Sequence, residues 1–448
     1  MDQSMCWRRL LSPRRLGSET RQGAAPDSTR SDFERDYDRL VFSPPFRRLQ
    51  NKTQVFPLPG NIFVHNRLTH SLEVSCLGRS LGNIVAEGLE AKYPDARDTP
   101  FRAISSIVSA ACLAHDMGNP PFGHSGERAI GAYFREGRGR RWREEIEKEG
   151  GRWTDFLQFE GNANAFRLLT HQFKGRRPGG FALTYSTLAS IIKYPYSSEQ
   201  SAPKGKFGFF QTEEGTMRQL ADELGLIKLS DQPLSYARYP LVYLVEAADD
   251  ICYQVMDIED AYKLHILSRE EASTLLQDFF SDEDLEILAQ RLSQIGDPNE
   301  QIGYLRSKVI NLLVEEAAAI FLEYEGEILR GQFDGALIGR LSPRLKEAYR
   351  ACSEVAWARI YCAKEVLDVE LAGHQIFGSL LDKLLEALHH PDYTYSKALL
   401  GRVSSQYDTA QTTTYGRIQC ALDYISGMTD IYALDLYRRI TGMNLPGI

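Results

Sequence analysis

The amino-acid sequence predicts an all-α protein, and three observations support that prediction. Apolar residues recur at helical spacing over several long stretches, as in helices with one buried face. No series of consecutive segments alternates polar and apolar residues in the way that half-buried strands do. Hydrophobic residues make up 43% of the 448 and charged residues 25%, which is typical of a folded globular chain. We expect a helical core onto which further helices of the C-terminal half are packed.

Composition and patterning divide the chain into three regions. Residues 1–30 are rich in Arg, Ser, Gly and Pro, and we interpret them as a mobile N-terminal leader. Residues 31–265 are expected to form the core domain, and residues 266–448 a C-terminal helical region packed on it. Two polar stretches of the core domain, residues 137–153 and 197–208, are predicted to be surface excursions.

Four helices are predicted in the core domain. The first carries an apolar stripe over residues 77–89, with the spacing of one helix face. The second, residues 103–114, is so apolar that it must be buried, and the Pro120-Pro121 pair ends it soon afterwards. The third begins near His124, and the fourth is a central helix over residues 241–255.

The charge and cysteine content restrict the class of partner and the compartment. The net charge of −8 gives the whole molecule no attraction to nucleic acid or an anionic membrane, so a nucleic-acid regulator is not indicated. The longest uncharged helical run has twelve residues, whereas a membrane span needs roughly 20. The seven cysteines are scattered without a Cys-x-x-Cys pair, as in a reducing compartment. We expect a cytoplasmic protein.

Histidines cluster in the core domain and indicate a site. Four of the nine, His65, His70, His115 and His124, fall within residues 65–124. Clustering alone is weak, because a buried histidine more often bonds to a backbone carbonyl than to a metal ion. The neighbouring carboxylates strengthen the functional interpretation.

His115 and Asp116 stand together at the end of the most apolar helix. A buried carboxylate there is costly unless a cation or hydrogen bonds compensate it. His70 on another helix and Asp249 or Asp250 on a third would complete a site of two imidazoles and two carboxylates. Such nitrogen and oxygen ligands suit Mn, Fe, Ni, Zn or Mg rather than soft copper.

Several sequence blocks resemble one known family. Residues 67–70, 115–116 and 246–253 look like the HD superfamily of metal-dependent phosphohydrolases. The longer strings 46–54, 69–75 and 115–127 resemble the bacterial deoxyguanosine triphosphate triphosphohydrolases. The resemblance covers about residues 33–265, with a fainter echo at 423–430. It implies an HD-domain helical core.

The resemblance implies one divalent metal ion, with Mn²⁺ or Mg²⁺ expected and Ni²⁺, Fe²⁺ or Zn²⁺ possible. In the family, the last ligand lies four residues before a tyrosine and eight before an aspartate. Asp249, Tyr253 and Asp257 have that spacing on one helix face, so we choose Asp249 over Asp250. The expected metal ligands are His70, His115, Asp116 and Asp249.

The implied reaction splits a deoxynucleoside triphosphate, dGTP above others, into the nucleoside and tripolyphosphate. By resemblance, His124 handles the proton and Glu127, three residues later on the same helix face, supports it. Tyr253 would exclude a ribose 2′-hydroxyl, while Gln54 and Asp257 would hold the 3′-hydroxyl.

Cationic side chains must bind the strongly anionic triphosphate on this acidic protein. Arg67, one turn before His70 on its helix, is the best candidate. Lys193 and Lys206 are weaker candidates, because loop lysines are usually just solvated. The resemblance also implies a homo-oligomer, with a hexamer among the expected forms.

Two other functions remain open at this point. An HD phosphohydrolase could act on a nucleoside monophosphate, a cyclic dinucleotide or an alarmone, but such an enzyme has no reason to carry the sugar set of Gln54, Tyr253 and Asp257. A non-catalytic nucleotide sensor or nucleic-acid-binding protein would be expected to lack a metal ligand or the proton carrier, and both are present in the sequence.

Overall fold

The structure of the chain is a computed structural model that describes residues 4–18, 29–54, 65–202, 204–361 and 364–443, without the side chains of residues 364–366. Within these residues the chain is helical, apart from one two-stranded antiparallel sheet. The predicted all-α class is confirmed. No helix of the described part is long and apolar enough to cross a membrane.

The first half of the chain holds eleven of the described α-helices. Their bounds are α1 Trp7–Leu10, α2 Asp32–Val41, α3 Pro44–Arg48, α4 Arg67–Lys92, α5 Ala103–Ala114, α6 Gly123–Arg135, α7 Arg143–Lys148, α8 Thr154–Leu157, α9 Gly161–Thr170, α10 Tyr185–Ile191 and α11 Glu214–Leu224. A hairpin follows, in which β1 Lys228–Asp231 pairs antiparallel with β2 Leu234–Tyr236.

The remaining described helices begin with the long central one. Their bounds are α12 Val242–Lys263, α13 Arg269–Gln277, α14 Asp282–Leu292, α15 Pro298–Glu323, α16 Glu325–Leu329, α17 Pro343–Ala356, α18 Lys364–His389, α19 Thr394–Leu400, α20 Thr414–Ser426 and α21 Asp430–Ile440. A π-helical turn, Trp357–Tyr361, follows α17.

Local sequence explains where the site-bearing helices begin. Helix α4 opens with a capping box, in which Asn66 accepts from the Thr69 amide and Thr69 bonds back to the Asn66 amide. Helix α6 begins after Phe122, whose φ of 61° is left-handed. Gly123 follows with φ 55°, and a Cβ there would lie 2.3 Å from the guanidinium of Arg67. Only glycine therefore fits at this turn.

Two hydrophobic clusters hold these helices together. In the first, α4, α5 and α12 pack against one another, and α2, α10, α13, α15 and α17 surround them. In the second, α18, α20 and α21 pack with α6 and α8. The predicted boundary at residue 265 falls within the first cluster. Helices from the C-terminal half therefore cover the site-bearing helices on two sides.

Residues 4–18 differ from the predicted mobile leader. Leu10 and Leu11 are buried in the first cluster, and the Trp7 indole donates to Glu325 at 2.6 Å. The Met5 amide also donates to the Leu329 carbonyl at 2.8 Å. The prediction is wrong for this segment because its few apolar side chains all find buried partners. Residues 1–3 and 19–28 of the predicted leader lie outside the described residues.

The two predicted surface excursions are also partly wrong. Ile146 and Trp153 of the first, and Ser197 and Phe207 of the second, are buried. These side chains fix both stretches to the body of the protein, and the second stretch carries Lys206 to the site.

Candidate active site

A cavity of about 350 Å³ lies where α4, α5, α6, α9 and α12 approach one another. Ten of the twelve predicted site residues line it; His70 and Asp257 do not. The ten are Gln54, Arg67, His115, Asp116, His124, Glu127, Lys193, Lys206, Asp249 and Tyr253. Side chains that are separated by up to about two hundred residues in the sequence thus share one space.

Three of the predicted metal ligands meet in one group. Ligand atoms of His70, His115 and Asp249 all lie within 4.8 Å of one another. The Asp249 Oδ1 atom is 3.1 Å from the Nε2 of His70 and 3.5 Å from the Nε2 of His115. Asp250 also lines the cavity but is not part of this group.

The imidazole of His115 is arranged as a ligand would be. Its Nδ1 atom donates to the Cys112 carbonyl at 2.6 Å, because a carbonyl oxygen can only accept. In the neutral imidazole the Nε2 atom then carries the lone pair, and this atom is buried without a hydrogen-bond partner among the described residues. A metal-bound histidine typically donates its other nitrogen to such an acceptor.

The electrostatics of this group favour positive charge. Burial alone would lower the pKa of His115, but the carboxylates of Asp116 and Asp249 raise it to about 9. Burial would raise the pKa of Asp249, yet His115 and His70 hold it well below its usual range. A group of two imidazoles and a carboxylate that favours a cation, with His70 buried and Asp249 partly exposed, fits a divalent metal ion.

Asp116, the fourth predicted ligand, bonds to other side chains. Its Oδ2 atom accepts from Arg67 at 2.7 Å, and its Oδ1 atom accepts from the Asn119 amide. Oδ1 also lies 3.6 Å from the Nε2 of His115. Burial favours the neutral acid, but Arg67 and His115 keep the pKa of Asp116 below its ordinary value. Its charged carboxylate therefore stands beside the three-residue group.

His124 and Glu127 form a hydrogen-bonded pair at the start of α6. The His124 Nδ1 atom is 2.8 Å from Glu127 Oε2, and the Gly161 amide donates to Glu127 Oε1 at 2.8 Å. The Glu127 side chain is 9% exposed and that of His124 is 68% exposed. The hydrogen bond and negative charge of Glu127 raise the pKa of His124. A fixed, buried carboxylate thus orients an accessible imidazole.

The three predicted sugar-binding residues are placed differently from one another. Tyr253 and Gln54 line the cavity, and the Gln54 Oε1 atom is buried with no hydrogen-bond partner in the part of the chain that the structure describes. Asp257 is instead buried outside the cavity lining and accepts from the hydroxyl of Tyr361. Burial raises the pKa of Asp257 to about 7. Tyr361 also stacks on Tyr253, with ring centroids 5.9 Å apart.

Both predicted lysines line the cavity, each paired with a carboxylate that the sequence did not identify. Lys206 Nζ is 2.8 Å from Glu160 Oε2, and Lys193 Nζ is 3.1 Å from Glu246 Oε1. Glu246 stands one turn before Asp249 on α12, and that spacing could have pointed to it. Glu160 caps α9 and carries no comparable signal.

Two segments of the chain match known family models. Residues 67–232 match the HD domain, which covers Arg67, His70, His115, Asp116 and His124. Residues 339–439 match the phosphohydrolase-associated domain.

Several relatives match nearly the full length of this chain. A deoxyguanosinetriphosphate triphosphohydrolase-like protein of Synechocystis sp. is 39% identical over 98% of this chain and 100% of its own. One of Pseudomonas aeruginosa is 38% identical over 99% of this chain and 100% of its own. A deoxyguanosinetriphosphate triphosphohydrolase of Yersinia pseudotuberculosis is 33% identical over 91% of this chain and 93% of its own.

Proposed function

This chain belongs to the HD-domain family of deoxyguanosinetriphosphate triphosphohydrolase-like proteins, and from that premise we propose that it hydrolyses deoxynucleoside triphosphates, dGTP above others, to the nucleoside and tripolyphosphate. In this reaction the oxygen of water joins the α-phosphorus. The bond from that phosphorus to the nucleoside oxygen breaks, and that oxygen leaves with a proton.

The proposal rests above all on one observation: two histidines with different surroundings, His115 and His124, line the same cavity. His115 offers a buried lone pair beside His70 and Asp249. His124 offers an accessible imidazole that is held by Glu127. A site for a cation and a site for a moving proton are the two requirements of metal-assisted phosphate hydrolysis.

The chain's own residues fit a divalent metal ion. His70, His115 and Asp249 would hold it, and Asp116 is the fourth residue that we propose for it. When bound, the ion supplies Lewis acidity and lowers the pKa of a bound water. Mn²⁺ and Mg²⁺ are the proposed ions, and the same ligands accept Ni²⁺, Fe²⁺ or Zn²⁺.

We assign the proton transfer to His124. Because its Nδ1 atom is held by Glu127, the Nε2 atom is left to deliver a proton to the departing nucleoside oxygen. Glu127 is in turn fixed by the Gly161 amide, so the imidazole has a defined direction.

Arg67, Lys193 and Lys206 are the proposed ligands of the triphosphate. The two lysines are paired with Glu246 and Glu160 in this structure, so an entering phosphate would compete with these carboxylates for the ammonium groups.

Tyr253 and Gln54 are the proposed contacts of the deoxyribose. Asp257 can join them only if Tyr361 gives up its hydrogen bond to that carboxylate. A homo-oligomer, with a hexamer among the expected forms, and a cytoplasmic location complete the proposal and rest on the family and on the scattered cysteines.

A direct assay tests the reaction. Purified protein is incubated with Mn²⁺ or Mg²⁺ and, in separate reactions, with each dNTP and with GTP, and the products are separated by chromatography. We expect deoxyguanosine and tripolyphosphate in equal amounts from dGTP. Formation of dGMP and pyrophosphate would contradict the proposed bond cleavage.

The Tyr253→Ala variant tests the selection of deoxyribose. Removing the ring opens space beside the sugar, so the preference for dGTP over GTP in kcat/KM should fall by about tenfold or more. Leu229→Ala, on the exposed part of the hairpin, is the matched control and should keep the preference. An unchanged preference in Tyr253→Ala would reject the steric explanation.

A further inference from the structure

The turn between α20 and α21 reaches the active site from the C-terminal end of the chain. It is part of the motif of residues 423–430, which begins in the last turn of α20 and ends at the first residue of α21; the motif resembles the family but has no role in the chemistry described so far. Three of its residues, Asp423, Ser426 and Asp430, are buried against the site-bearing half of the molecule. We propose that Asp430 is a positioning residue that fixes Gln54 and His124 relative to each other.

The carboxylate of Asp430 binds two separate segments. Its Oδ2 atom accepts from the amide of Thr53 at 2.9 Å and from the Thr53 hydroxyl at 2.5 Å. Its Oδ1 atom accepts from the amide of Phe122 at 2.9 Å. Thr53 immediately precedes Gln54, and Phe122 lies two residues before His124. One carboxylate thus holds the backbone next to a proposed sugar contact and next to the proposed proton carrier.

The backbone at Phe122 needs such support. A non-glycine residue with φ of 61° is in an unfavourable region, and Gly123 continues the left-handed turn. The Phe122 ring also meets Phe377 edge to face, at 5.9 Å between centroids. The Asp430 bond fixes the amide of this turn, and the turn sets the direction in which α6 presents His124.

Lys52 makes a second connection across the same junction. Its buried ammonium donates to the Ser426 carbonyl at 2.8 Å and to the Asn119 carbonyl at 2.5 Å. The Asn119 side chain bonds to Asp116, beside the proposed metal ligands. Both connections therefore join the 426–430 turn to the segment 116–124.

This inference rests on the proposed function, because the roles of Gln54 and His124 belong to that proposal. The hydrogen bonds of Asp430 divide into two arms: those to Thr53 form the Thr53 arm, and the one to the Phe122 amide forms the Phe122 arm. We expect each arm to affect a different kinetic constant. The Thr53 arm should affect substrate binding through Gln54, and the Phe122 arm should affect turnover through His124.

The Asp430→Asn variant tests the Phe122 arm and the carboxylate as a whole. An amide has nearly the same size but only one acceptor oxygen, so either the Phe122 or the Thr53 donors must face an NH₂ group. We expect kcat per metal-loaded protein to fall by about tenfold or more, since small displacements of a catalytic group have effects of that order. Metal content should not change.

The Thr53→Val variant tests the other arm. Valine keeps the shape of threonine and removes only the hydroxyl donor to Asp430, so KM should rise by a few-fold while kcat changes less. Asp435→Asn on the same helix is the matched control, because its half-exposed carboxylate pairs with Arg439 on the same helix. It should leave both constants at the wild-type values.

Hydrogen–deuterium exchange gives a readout that does not depend on activity. In Asp430→Asn, the segments around residues 53 and 122 should exchange faster, while α15 and α17 keep their protection. Unchanged exchange at these segments, or wild-type kcat and KM despite faster exchange, would overturn the proposal. If the wild-type protein does not hydrolyse any dNTP, the proposed function fails, and exchange alone decides whether Asp430 holds the two segments.

Discussion

The ends of two consecutive helices, α5 and α6, present histidines in opposite environments. His115, at the end of α5, is largely buried, and its Nε2 atom has no hydrogen-bond partner within the described residues. His124, nine residues later in α6, is mostly exposed, and Glu127 holds one nitrogen. The same side chain can therefore serve two chemical tasks in one cavity. What differs is the partner of the ring: one nitrogen of His115 faces the carboxylate of Asp249 in the three-residue group, whereas one nitrogen of the exposed His124 is held by Glu127.

The loop between these helices is responsible for the difference. Pro120 and Pro121 prevent the chain from continuing in the direction of α5. Phe122 and Gly123, both with left-handed φ values, then lead into α6. The chain therefore turns sharply between the end of α5, which bears the proposed metal ligand His115, and the start of α6, which bears the proposed proton carrier His124. The following predictions test the division of roles between the two histidines.

The largest expected effect is that of His115→Ala. Loss of a ligand from the three-residue group should abolish stoichiometric binding of Mn²⁺ and reduce turnover by more than about a thousandfold, since the metal contributes several kcal/mol. Metal content by atomic emission and dGTP turnover measure the two effects. His390→Ala removes an exposed histidine and is the control. Full metal content in His115→Ala would contradict the assignment.

Replacing His124 with Ala should separate the two roles. Metal binding should remain, while kcat falls by about 10²–10⁴, the usual contribution of a general acid or base. Metal content by atomic emission and dGTP turnover again measure the two effects. A variant that loses its metal would place His124 in the metal site and end the distinction from His115.

A smaller effect is expected for Glu127→Gln, and it has a direction in pH. The negative charge of Glu127 raises the pKa of His124, so its removal lowers that pKa. The limb of the kcat–pH profile that His124 controls should move to lower pH, and kcat should fall by roughly tenfold. If this limb of the kcat–pH profile does not move in the variant, a group other than His124 controls it.

The smallest expected effect is that of Lys206→Met. The ammonium of Lys206 lowers the pKa of His124, so the same limb should move to higher pH, opposite to the effect of Glu127→Gln. KM for dGTP should rise by roughly threefold, because the lysine is partly exposed and already paired with Glu160. The kcat–pH profile and KM, measured beside wild type, test both statements. Shifts of both variants in one direction would contradict the electrostatic explanation.

The sequence predicted the helices that bear the site because their patterns are local. Residues 103–114 form α5 with the predicted bounds, since an apolar run before a Pro-Pro pair leaves little choice. The spacing of Asp249 and Tyr253 likewise predicted that they share one helix face, and both side chains line the cavity.

Contacts between distant segments could not be predicted in this way. The Tyr361 hydroxyl donates a hydrogen bond to the carboxylate of Asp257, 104 residues earlier in the sequence. Arg67 likewise donates to an oxygen of Asp116, which is 49 residues later. Helical periodicity shows which face a residue occupies, but not which side chain from another helix meets it. The packing of residues 4–18 escaped prediction for the same reason, because their apolar side chains are few and their partners are far along the chain.

The packing of residues 4–18 has a consequence for the order in which the protein acquires its structure during translation. Trp7 is joined to Glu325 across 318 residues, and the Leu16 amide bonds to the Leu183 carbonyl. At about 5–20 residues per second, a ribosome needs tens of seconds to add the later partner. During that interval the Trp7 indole lacks this partner on the nascent chain, where a chaperone that binds apolar segments would find it.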